Sequence, residues 1–238
     1  MRAFVTGTDT GIGKTYISAG LVRALRAAGI DAVAMKPIAS GFDWVNGQRC
    51  NEDLDTLAAA HAHALAPALL NQYAFDPPIA PHRAAELAGL TIDLAPVVSA
   101  YAQVAARHPA VLVEGVGGFA VPLSPTLMLA DLVRALQLPV LLVVGLRLGC
   151  INHALLSAAS IRAAGLSLLG WVANRVDPAM AEAEASLQAI AQRIGAPLLG
   201  RVDHTAPAAE FNALARAFSA ACDRVPGSTS PAFAAPGG

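Results

Sequence analysis

The stretch VTGTDTGIGKTYIS, residues 5–18, guides the interpretation of the whole chain. An apolar run precedes it and helix-favouring residues follow, so it is predicted to connect a β-strand to an α-helix. Its glycines let backbone N–H groups converge on phosphate oxygens, with Lys14 reaching the β- and γ-phosphates and the Thr15 hydroxyl binding Mg²⁺. Five residues separate Gly7 from Gly13, one more than in the strict motif. The position between strand and helix nevertheless favours a phosphate-binding loop over a chance Gly-Lys-Thr sequence.

The rest of the chain alternates between strand-like and helix-like segments. A helix is predicted over Lys14–Ala28, and residues 39–109 are predicted to be mostly helical, with a break at the proline-rich stretch of residues 77–81. The predicted strands are Arg2–Gly7, Asp31–Ile38, Ala110–Glu114, Pro139–Gly145, Ser167–Asn174 and Pro197–Val202. Continuous apolar runs indicate strands covered on both faces, and repeated βα units imply right-handed crossovers. These patterns predict an α/β fold with a doubly wound, mostly parallel sheet, helices on both faces and a P-loop NTPase-like architecture.

Composition limits the location and the partners of the protein. We predict one domain over residues 1–223 and a disordered Pro/Gly/Ser-rich tail over residues 224–238. A net charge of −1 disfavours nucleic-acid binding. Mean hydropathy is high at +0.52, yet the longest uncharged stretch, residues 56–75, contains His, Pro, Asn and Gln, which disfavours a membrane span. Three widely spaced cysteines and a chain that begins directly with a strand favour the cytoplasm.

Lysine is scarce in this chain. Of its sixteen basic residues, only Lys14 and Lys36 are lysine and the others are arginine. Because an ammonium is a compact point charge and a guanidinium a bulky fork, both positions are predicted to need the point charge, although codon bias is an alternative explanation. Lys36 ends a predicted strand in MKPIASG, where it would face the phosphate loop and stabilise a transferring phosphoryl group. A salt bridge to a nearby carboxylate is the alternative role.

Acidic residues near strand ends are candidate ligands for Mg²⁺, which prefers oxygen ligands. Glu114 ends an apolar strand in VLVEGVGG, where a charge is costly unless it is paired. Capping of a neighbouring loop is the alternative. In RCNEDLDTL the sequence leaves Glu52, Asp53 and Asp55 open, since acidic residues also favour the first turn of an ordinary helix.

A second helix N-terminus is predicted in RLGCINHALLS, residues 147–157. The free N–H groups of Cys150, Ile151 and Asn152 would suit an anion such as a carboxylate. Cys150 has no evident base partner and is not predicted to be a nucleophile. We expect His153 to pack within the fold.

Together, VTGTDTGIGKT, MKPIASG, VLVEGVGG, LPVLLVVGLRLGCINHALL and GWVAN, in this order and spacing, resemble the dethiobiotin synthetase family of biotin biosynthesis, as far as about Glu210. The resemblance implies an ATP-dependent enzyme that uses Mg²⁺ to join 7,8-diaminononanoate and CO₂ or bicarbonate into dethiobiotin, releasing ADP and phosphate. The implied route runs through a carbamate and a carbamic–phosphoric anhydride. The resemblance also implies a homodimer whose substrate site is shared between subunits.

The same resemblance implies roles for individual residues. Lys14 and Lys36 are implied to be catalytic, and the metal is implied to bind Thr15, Asp53 and Glu114, which selects Asp53 among the acidic candidates. Substrate contacts are implied at Ser40 and, from the other subunit, at Gly149, Cys150, Ile151 and Asn152. Nucleotide contacts are implied at Gly11, Ile12, Gly13, Lys14, Thr15, Tyr16, Asp53, Glu114, Gly115, Val116, Gly117, Asn174, Arg175, Asp203, His204, Thr205 and Glu210, with Asn174 recognising adenine. Two departures from the best-known members bear on nucleotide preference: Gly11 replaces an acidic residue, and residues 203–205 are more polar.

Two other functions of phosphate-loop proteins are open alternatives. Partition and division-site ATPases carry a signature lysine four residues before the Gly-Lys pair, where this chain has Asp9. A cobyrinate-type synthetase would be expected to carry a glutaminase domain as well, for which the 238 residues leave no length.

Overall fold

The computed structural model describes residues 1–203 and 205–225. Its strands are β1 Arg2–Gly7, β2 Ala32–Met35, β3 Ile38–Ser40, β4 Asp43–Val45, β5 Gln48–Cys50, β6 Tyr73–Phe75, β7 Ala110–Glu114, β8 Val140–Gly145, β9 Leu168–Arg175 and β10 Leu198–Asp203. Its helices are α1 Lys14–Ala27, α2 Glu52–Ala60, α3 Pro67–Leu70, α4 Pro81–Leu87, α5 Leu94–Ala105, α6 Leu129–Leu136, α7 Cys150–Ala163, α8 Ala183–Ala191 and α9 Ala208–Cys222. His204 and positions 226–238 lie outside the described residues, so the predicted domain boundary and tail stay predictions.

Six strands form one parallel sheet in the order β10-β9-β8-β1-β7-β2. Strands β8, β9 and β10 lie on one side of β1, and β7 and β2 lie on the other, so the chain winds to both sides of β1 as in a doubly wound sheet. Every residue of β7 and β8 is buried, as their continuous apolar sequences predict for strands covered on both faces. The predicted α/β fold and its parallel sheet are confirmed.

The sheet separates two hydrophobic cores, because successive side chains of a strand point to opposite faces. Phe4 packs in one core with residues of α5, α6, α7 and α8. Its neighbour Val5 packs in the other core with residues of α1, α2 and α9. Within residues 1–203 and 205–225, no helix has both the length and the apolar character needed to cross a bilayer.

The prediction of one strand over residues 31–38 is wrong. Strand β2 ends at Met35, and after Lys36 and Pro37 the chain forms β3, which pairs with β6 in a separate two-stranded sheet. Proline has no N–H group and cannot continue the ladder of the main sheet, which accounts for the break. The break leaves Lys36 at the junction of the two sheets.

The prediction that residues 39–109 are mostly helical missed a β-hairpin. Strands β4 and β5 pair in antiparallel fashion around Asn46 and Gly47, whose φ angles are both positive, at 51° and 77°. The Asn-Gly pair favours a two-residue hairpin turn of this kind. The hairpin lies between β3 and α2, which both contribute residues to the lining of a large cavity.

Candidate active site

A cavity of about 900 Å³ lies at the carboxyl ends of β1, β2 and β7. Ligands of doubly wound sheets bind at this edge, and the volume is in the range of small-molecule sites. Lys14 and Lys36 both line the cavity, so their side chains face the same space. Of the predicted site residues, the lining includes Gly11, Gly13, Lys14, Thr15, Tyr16, Lys36, Ser40, Asp53, Val116 and Gly117.

The loop between β1 and α1 needs glycine at Gly13. Its φ is 81°, and a Cβ atom there would lie 2.2 Å from Nδ2 of Asn174. Lys14 follows as the first residue of α1 and is buried, with 7% of its surface exposed. Its Nζ donates to the backbone carbonyl of Asp9 at 3.0 Å, so the ammonium lies over the loop that precedes it.

Lys36 connects two acidic side chains from different elements. Its Nζ donates to Oε1 of Glu114 at 2.9 Å and also to Oδ2 of Asp53. The Thr15 hydroxyl donates to the same Glu114 oxygen at 2.7 Å. Lys36 and Glu114 are 5% and 1% exposed, so their attraction acts away from water. The salt bridge that the sequence offered as an alternative role for Lys36 is therefore present, and Asp53 is the member of its acidic cluster that reaches it.

These charges change the pKa values of both lysines. Burial lowers the pKa of Lys14 to about 8, although the nearby Glu114 carboxylate acts in the opposite direction. Burial also opposes the charge of Lys36, but the Glu114 and Asp53 carboxylates outweigh it and raise the pKa of this lysine. Burial alone would raise the pKa of Asp53, whereas the Lys36 ammonium lowers it overall. Lys36 and Asp53 are thus both ionised near neutral pH.

Thr15, Asp53 and Glu114 fit a divalent metal. Among the described residues, Oε2 of Glu114 has no hydrogen-bond partner although it is buried. A buried carboxylate oxygen without a partner is costly, and a coordinated cation would satisfy it. Two carboxylates and a hydroxyl are the hard oxygen ligands that Mg²⁺ prefers. The donor set therefore suits Mg²⁺ better than a softer metal.

The main chain of Lys36 is fixed at the junction of the two sheets. Its N–H donates to the carbonyl of Leu70 at 2.9 Å, and its carbonyl accepts from Nδ2 of Asn71 at 2.7 Å. The carbonyl of Pro37 accepts from the backbone N–H groups of Gln72 and Tyr73 at 3.0 and 2.8 Å. The sequence analysis did not predict that residues 70–73 hold Lys36 in place. The two amide residues, Asn71 and Gln72, are not part of a periodic hydrophobic pattern.

Asn174 lies at the end of β9 and reaches the phosphate loop. Its Nδ2 donates to the carbonyl of Ile12 at 2.8 Å, and its Oδ1 is buried with no partner among the described residues. On the adjacent strand β10, the N–H of Asp203 donates to Oε2 of Glu210 at 3.1 Å. Asn174 and Asp203, both predicted to recognise the base, therefore lie at the ends of two neighbouring strands. His204 lies outside the described residues.

Several of the predicted nucleotide-binding residues do not line the large cavity. The Ile12 side chain is 1% exposed and packs in the core. A Cβ atom on Gly115 would lie 2.9 Å from the Phe4 ring, so this glycine serves close packing. Arg175 and Asp203 border a second cavity of about 310 Å³. The predicted residues outside the lining of the large cavity are Ile12, Glu114, Gly115, Asn174, Arg175, Asp203, Thr205, Glu210, Gly149, Cys150, Ile151 and Asn152.

The predicted carboxylate site at residues 149–152 begins α7 and lies outside the cavity lining. Gly149 has a φ of 93° and Cys150 is buried. Leu148, next to this turn, is 94% exposed, and Leu156 on the same helix is 61% exposed. Helix α7 thus has one exposed leucine just before its N-terminus and another in its middle.

Sequence reasoning also missed an apolar part of the cavity wall. This wall includes Pro78, Ile79, Ala80, Pro81 and Val121. The proline-rich stretch had been interpreted only as a break between helices. These apolar residues line the same cavity as Lys14, Lys36 and Asp53.

The sequence of this chain is similar to those of known enzymes. A family model described as an AAA domain matches residues 1–210. The ATP-dependent dethiobiotin synthetase of Xanthomonas oryzae pv. oryzae (strain PXO99A) is 54% identical over 199 residues, which cover 84% of this chain and 89% of that protein. The ATP-dependent dethiobiotin synthetase of Aromatoleum aromaticum is 50% identical over 205 residues, covering 86% of this chain and 91% of that protein.

Solved structures with a similar fold are more distant in sequence. The cell division ATPase MinD of Pyrococcus furiosus is 17% identical with a TM-score of 0.55, covering 91% of this chain and 98% of that one. A ParA-family ATPase from Chlorobium tepidum is 15% identical with a TM-score of 0.52, covering 94% of each chain. Similarity at this level shows the fold alone. The two dethiobiotin synthetases are at least 50% identical to this chain over more than four-fifths of its length. This chain therefore belongs to the ATP-dependent dethiobiotin synthetase family.

Proposed function

We propose that this protein is a dethiobiotin synthetase, which uses MgATP to join 7,8-diaminononanoate and CO₂ into dethiobiotin, with ADP and phosphate as the other products. The observation that carries the proposal is the convergence of Lys14, Lys36, Asp53 and Glu114 at one edge of the sheet. Family membership supplies the identity of the substrates. We also propose a cytoplasmic location on the basis of family membership.

The reaction must bring two anions together. A carbamate formed on the diamine and the γ-phosphate of ATP repel each other, and this repulsion is strongest where water is excluded. The ammonium groups of Lys14 and Lys36 face the same cavity and would offset that repulsion. Held by Thr15, Asp53 and Glu114, Mg²⁺ would neutralise further phosphate charge.

The proposed chemistry has three steps. The 7-amine of the substrate first takes up CO₂ as a carbamate, and a carbamate oxygen then attacks the γ-phosphorus and displaces ADP. The 8-amine attacks the carbonyl carbon of the resulting anhydride, which closes the urea ring and releases phosphate. In this scheme Lys14 stabilises the β- and γ-phosphates, and Lys36 stabilises the transferring phosphoryl group. Ser40, whose buried Oγ has no partner among the described residues, binds the reacting end of the diamine.

The nucleotide base is proposed to bind at Asn174. One N–H of Nδ2 donates to Ile12, and the buried Oδ1 has no partner among the described residues, so Oδ1 is an acceptor that suits the amino group of adenine. Further nucleotide contacts are proposed at Gly115, Val116, Gly117, Arg175, Asp203, Thr205 and Glu210.

The distal carboxylate of the diamine is proposed to bind Gly149, Cys150, Ile151 and Asn152 of a second copy of the chain. Two observations support a shared site. These residues do not line the cavity of their own chain, and the exposed Leu148 and Leu156 beside them form an apolar surface that a second copy would cover.

Product formation tests the proposed function directly. The purified protein is incubated with 7,8-diaminononanoate, bicarbonate and MgATP, and dethiobiotin is measured by mass spectrometry with ¹³C-labelled bicarbonate. We expect one labelled carbon per product molecule and one ADP. ATP hydrolysis that is unaffected by the diamine, with no dethiobiotin, would refute the proposal and favour a partition-type ATPase.

A further inference from the structure

Tyr16 follows Thr15 in the first turn of α1, and its side chain leads from the phosphate loop to the end of β10. The Tyr16 hydroxyl accepts a hydrogen bond from the N–H of Ala206 at 3.0 Å and donates one to the carbonyl of Asp203 at 3.4 Å. The same Ala206 N–H also donates to the Asp203 carbonyl at 3.1 Å, which closes the turn. One side chain therefore connects the helix that begins with Lys14 to the turn that leaves β10.

The ring of Tyr16 also makes a packing contact. It lies edge-on to the ring of Phe211 in α9, with 5.4 Å between centroids and an interplanar angle of 78°. Phe211 in turn lies over Gly20 of α1, where a Cβ atom would be 2.0 Å from the ring. The residue before Phe211, Glu210, accepts from the backbone N–H of Asp203. Helix α1, the turn after β10 and the start of α9 thus form one packed unit.

We propose that Tyr16 is a positioning residue for the nucleotide. It fixes the separation between the phosphate loop and the backbone of Asp203 and Ala206, so that the triphosphate and the nucleoside meet two surfaces already at the right distance. The inference rests on the proposed function, in which Asp203, Thr205 and Glu210 contact the nucleoside. A turn held in place before binding does not have to be ordered during binding, which lowers the entropic cost.

The test compares a full nucleotide with a ligand that has phosphates only. Tyr16→Phe keeps the ring against Phe211 and removes both hydrogen bonds of the hydroxyl. Calorimetric titrations with Mg²⁺, and without the diamine, measure the Kd of ATP and of inorganic tripolyphosphate. Loss of two ordinary hydrogen bonds to the turn is expected to weaken ATP binding about five- to tenfold. Tripolyphosphate, which reaches only the phosphate loop, should stay within about twofold of the wild type.

Tyr73→Phe is the matched control. The Tyr73 hydroxyl likewise donates to a backbone carbonyl and accepts from a backbone N–H, both of Asp93, at 3.0 and 2.9 Å. Its loss should leave both affinities unchanged, and thermal unfolding of the two variants shows whether either has lost its fold.

The outcomes separate this inference from the proposed function. Equal weakening of ATP and tripolyphosphate in Tyr16→Phe, or unchanged ATP affinity, would overturn the positioning role. If Tyr16→Phe weakens the binding of ATP but not of tripolyphosphate, and the wild-type protein makes no dethiobiotin, the positioning role is supported and the proposed function is refuted.

Discussion

Nζ of Lys36 and Oε1 of Glu114, 78 positions apart in the sequence, lie 2.9 Å from each other in the interior of the protein. Neither charge is stable there alone, because removing one member of a buried pair leaves the other without compensation. The pair also joins the end of β7 to the residue that follows β2. Substitutions at either position therefore act on charge, metal binding and packing, and need controls for each.

Replacing Lys36 with arginine tests whether the site needs a compact ammonium. We expect Lys36→Arg to lower kcat about 100-fold, the scale of losing one aligned charge-stabilising group, because the planar fork cannot take the same position between Asp53 and Glu114. Steady-state dethiobiotin formation measures the effect. The exposed Arg83→Lys exchange is a control and should retain wild-type rates. Near-normal turnover of Lys36→Arg would mean that the scarcity of lysine has no functional cause.

Removing the charge of Glu114 tests the proposed metal site. Glu114→Gln keeps the shape of the side chain but supplies a weaker ligand, so Mn²⁺ affinity in the presence of a nonhydrolysable ATP analogue should fall at least about tenfold. Electron paramagnetic resonance of free Mn²⁺ measures this affinity without turnover. Glu86→Gln, at an exposed ion pair with Arg83, should leave it unchanged. Equal Mn²⁺ affinities of Glu114→Gln and the wild type would exclude Glu114 as a ligand.

Gly20 should tolerate no larger residue. Alanine in a helix interior is ordinarily better than glycine by about 1 kcal/mol, but here its Cβ atom would lie 2.0 Å from the Phe211 ring. We expect Gly20→Ala to lower the free energy of unfolding by about 1–3 kcal/mol in urea titrations. Adding Phe211→Leu should recover part of the loss, and strictly additive effects would contradict the contact.

His61 should make stability depend on pH. Burial lowers its pKa from 6.5 to about 4 in the folded protein. Between these values the unfolded chain takes up a proton that the folded protein does not, so this contribution to stability is complete above pH 6.5 and is lost as the pH falls towards 4. His61→Asn, which removes the titration, should flatten the decline of the urea midpoint in this range. The exposed His63→Asn variant should decline like the wild type, and the same slope in all three proteins would refute the assignment.

The exposed start of α7 tests the proposed homodimer. Leu148 is 94% exposed, and a charge there should disfavour burial against a second copy. We expect Leu148→Glu to shift the protein from dimer to monomer in analytical ultracentrifugation and to raise the KM for the diamine. Leu87→Glu alters a leucine that is 59% exposed at the end of α4 and should change neither property. A monomeric wild type with full activity would exclude the shared site.

The parts of the site that lie at strand ends could be predicted from the sequence. The run Ala110–Glu114 is continuously apolar before its carboxylate, so both the strand and the position of Glu114 at the ligand-binding edge follow from burial. The phosphate loop was predictable for a related reason, since Gly13 and Lys14 sit between a strand and a helix. The carboxyl ends of parallel strands meet at one edge whatever the details of the loops.

Other parts depend on contacts that no local pattern contains. The selection of Asp53 over Glu52 and Asp55 depends on which side of the first turn of α2 faces Lys36. Strands β4 and β5 have three residues each, too few for an alternating pattern, although the Asn-Gly turn was a usable signal. The contacts of Tyr16 join it to Asp203, Ala206 and Phe211, which lie almost 190 positions or more further along the sequence.

The break between β2 and β3 has a mechanical consequence. Leu70 and Asn71 occupy the N–H and the carbonyl of residue 36, so its Cα is anchored and only the methylene chain can rotate. The charged tip can therefore exchange a carboxylate oxygen for an incoming anion without moving a strand. In the proposed reaction, ligand exchange at this tip would then be confined to a few side-chain torsions, and the surrounding sheets would keep their positions between turnovers.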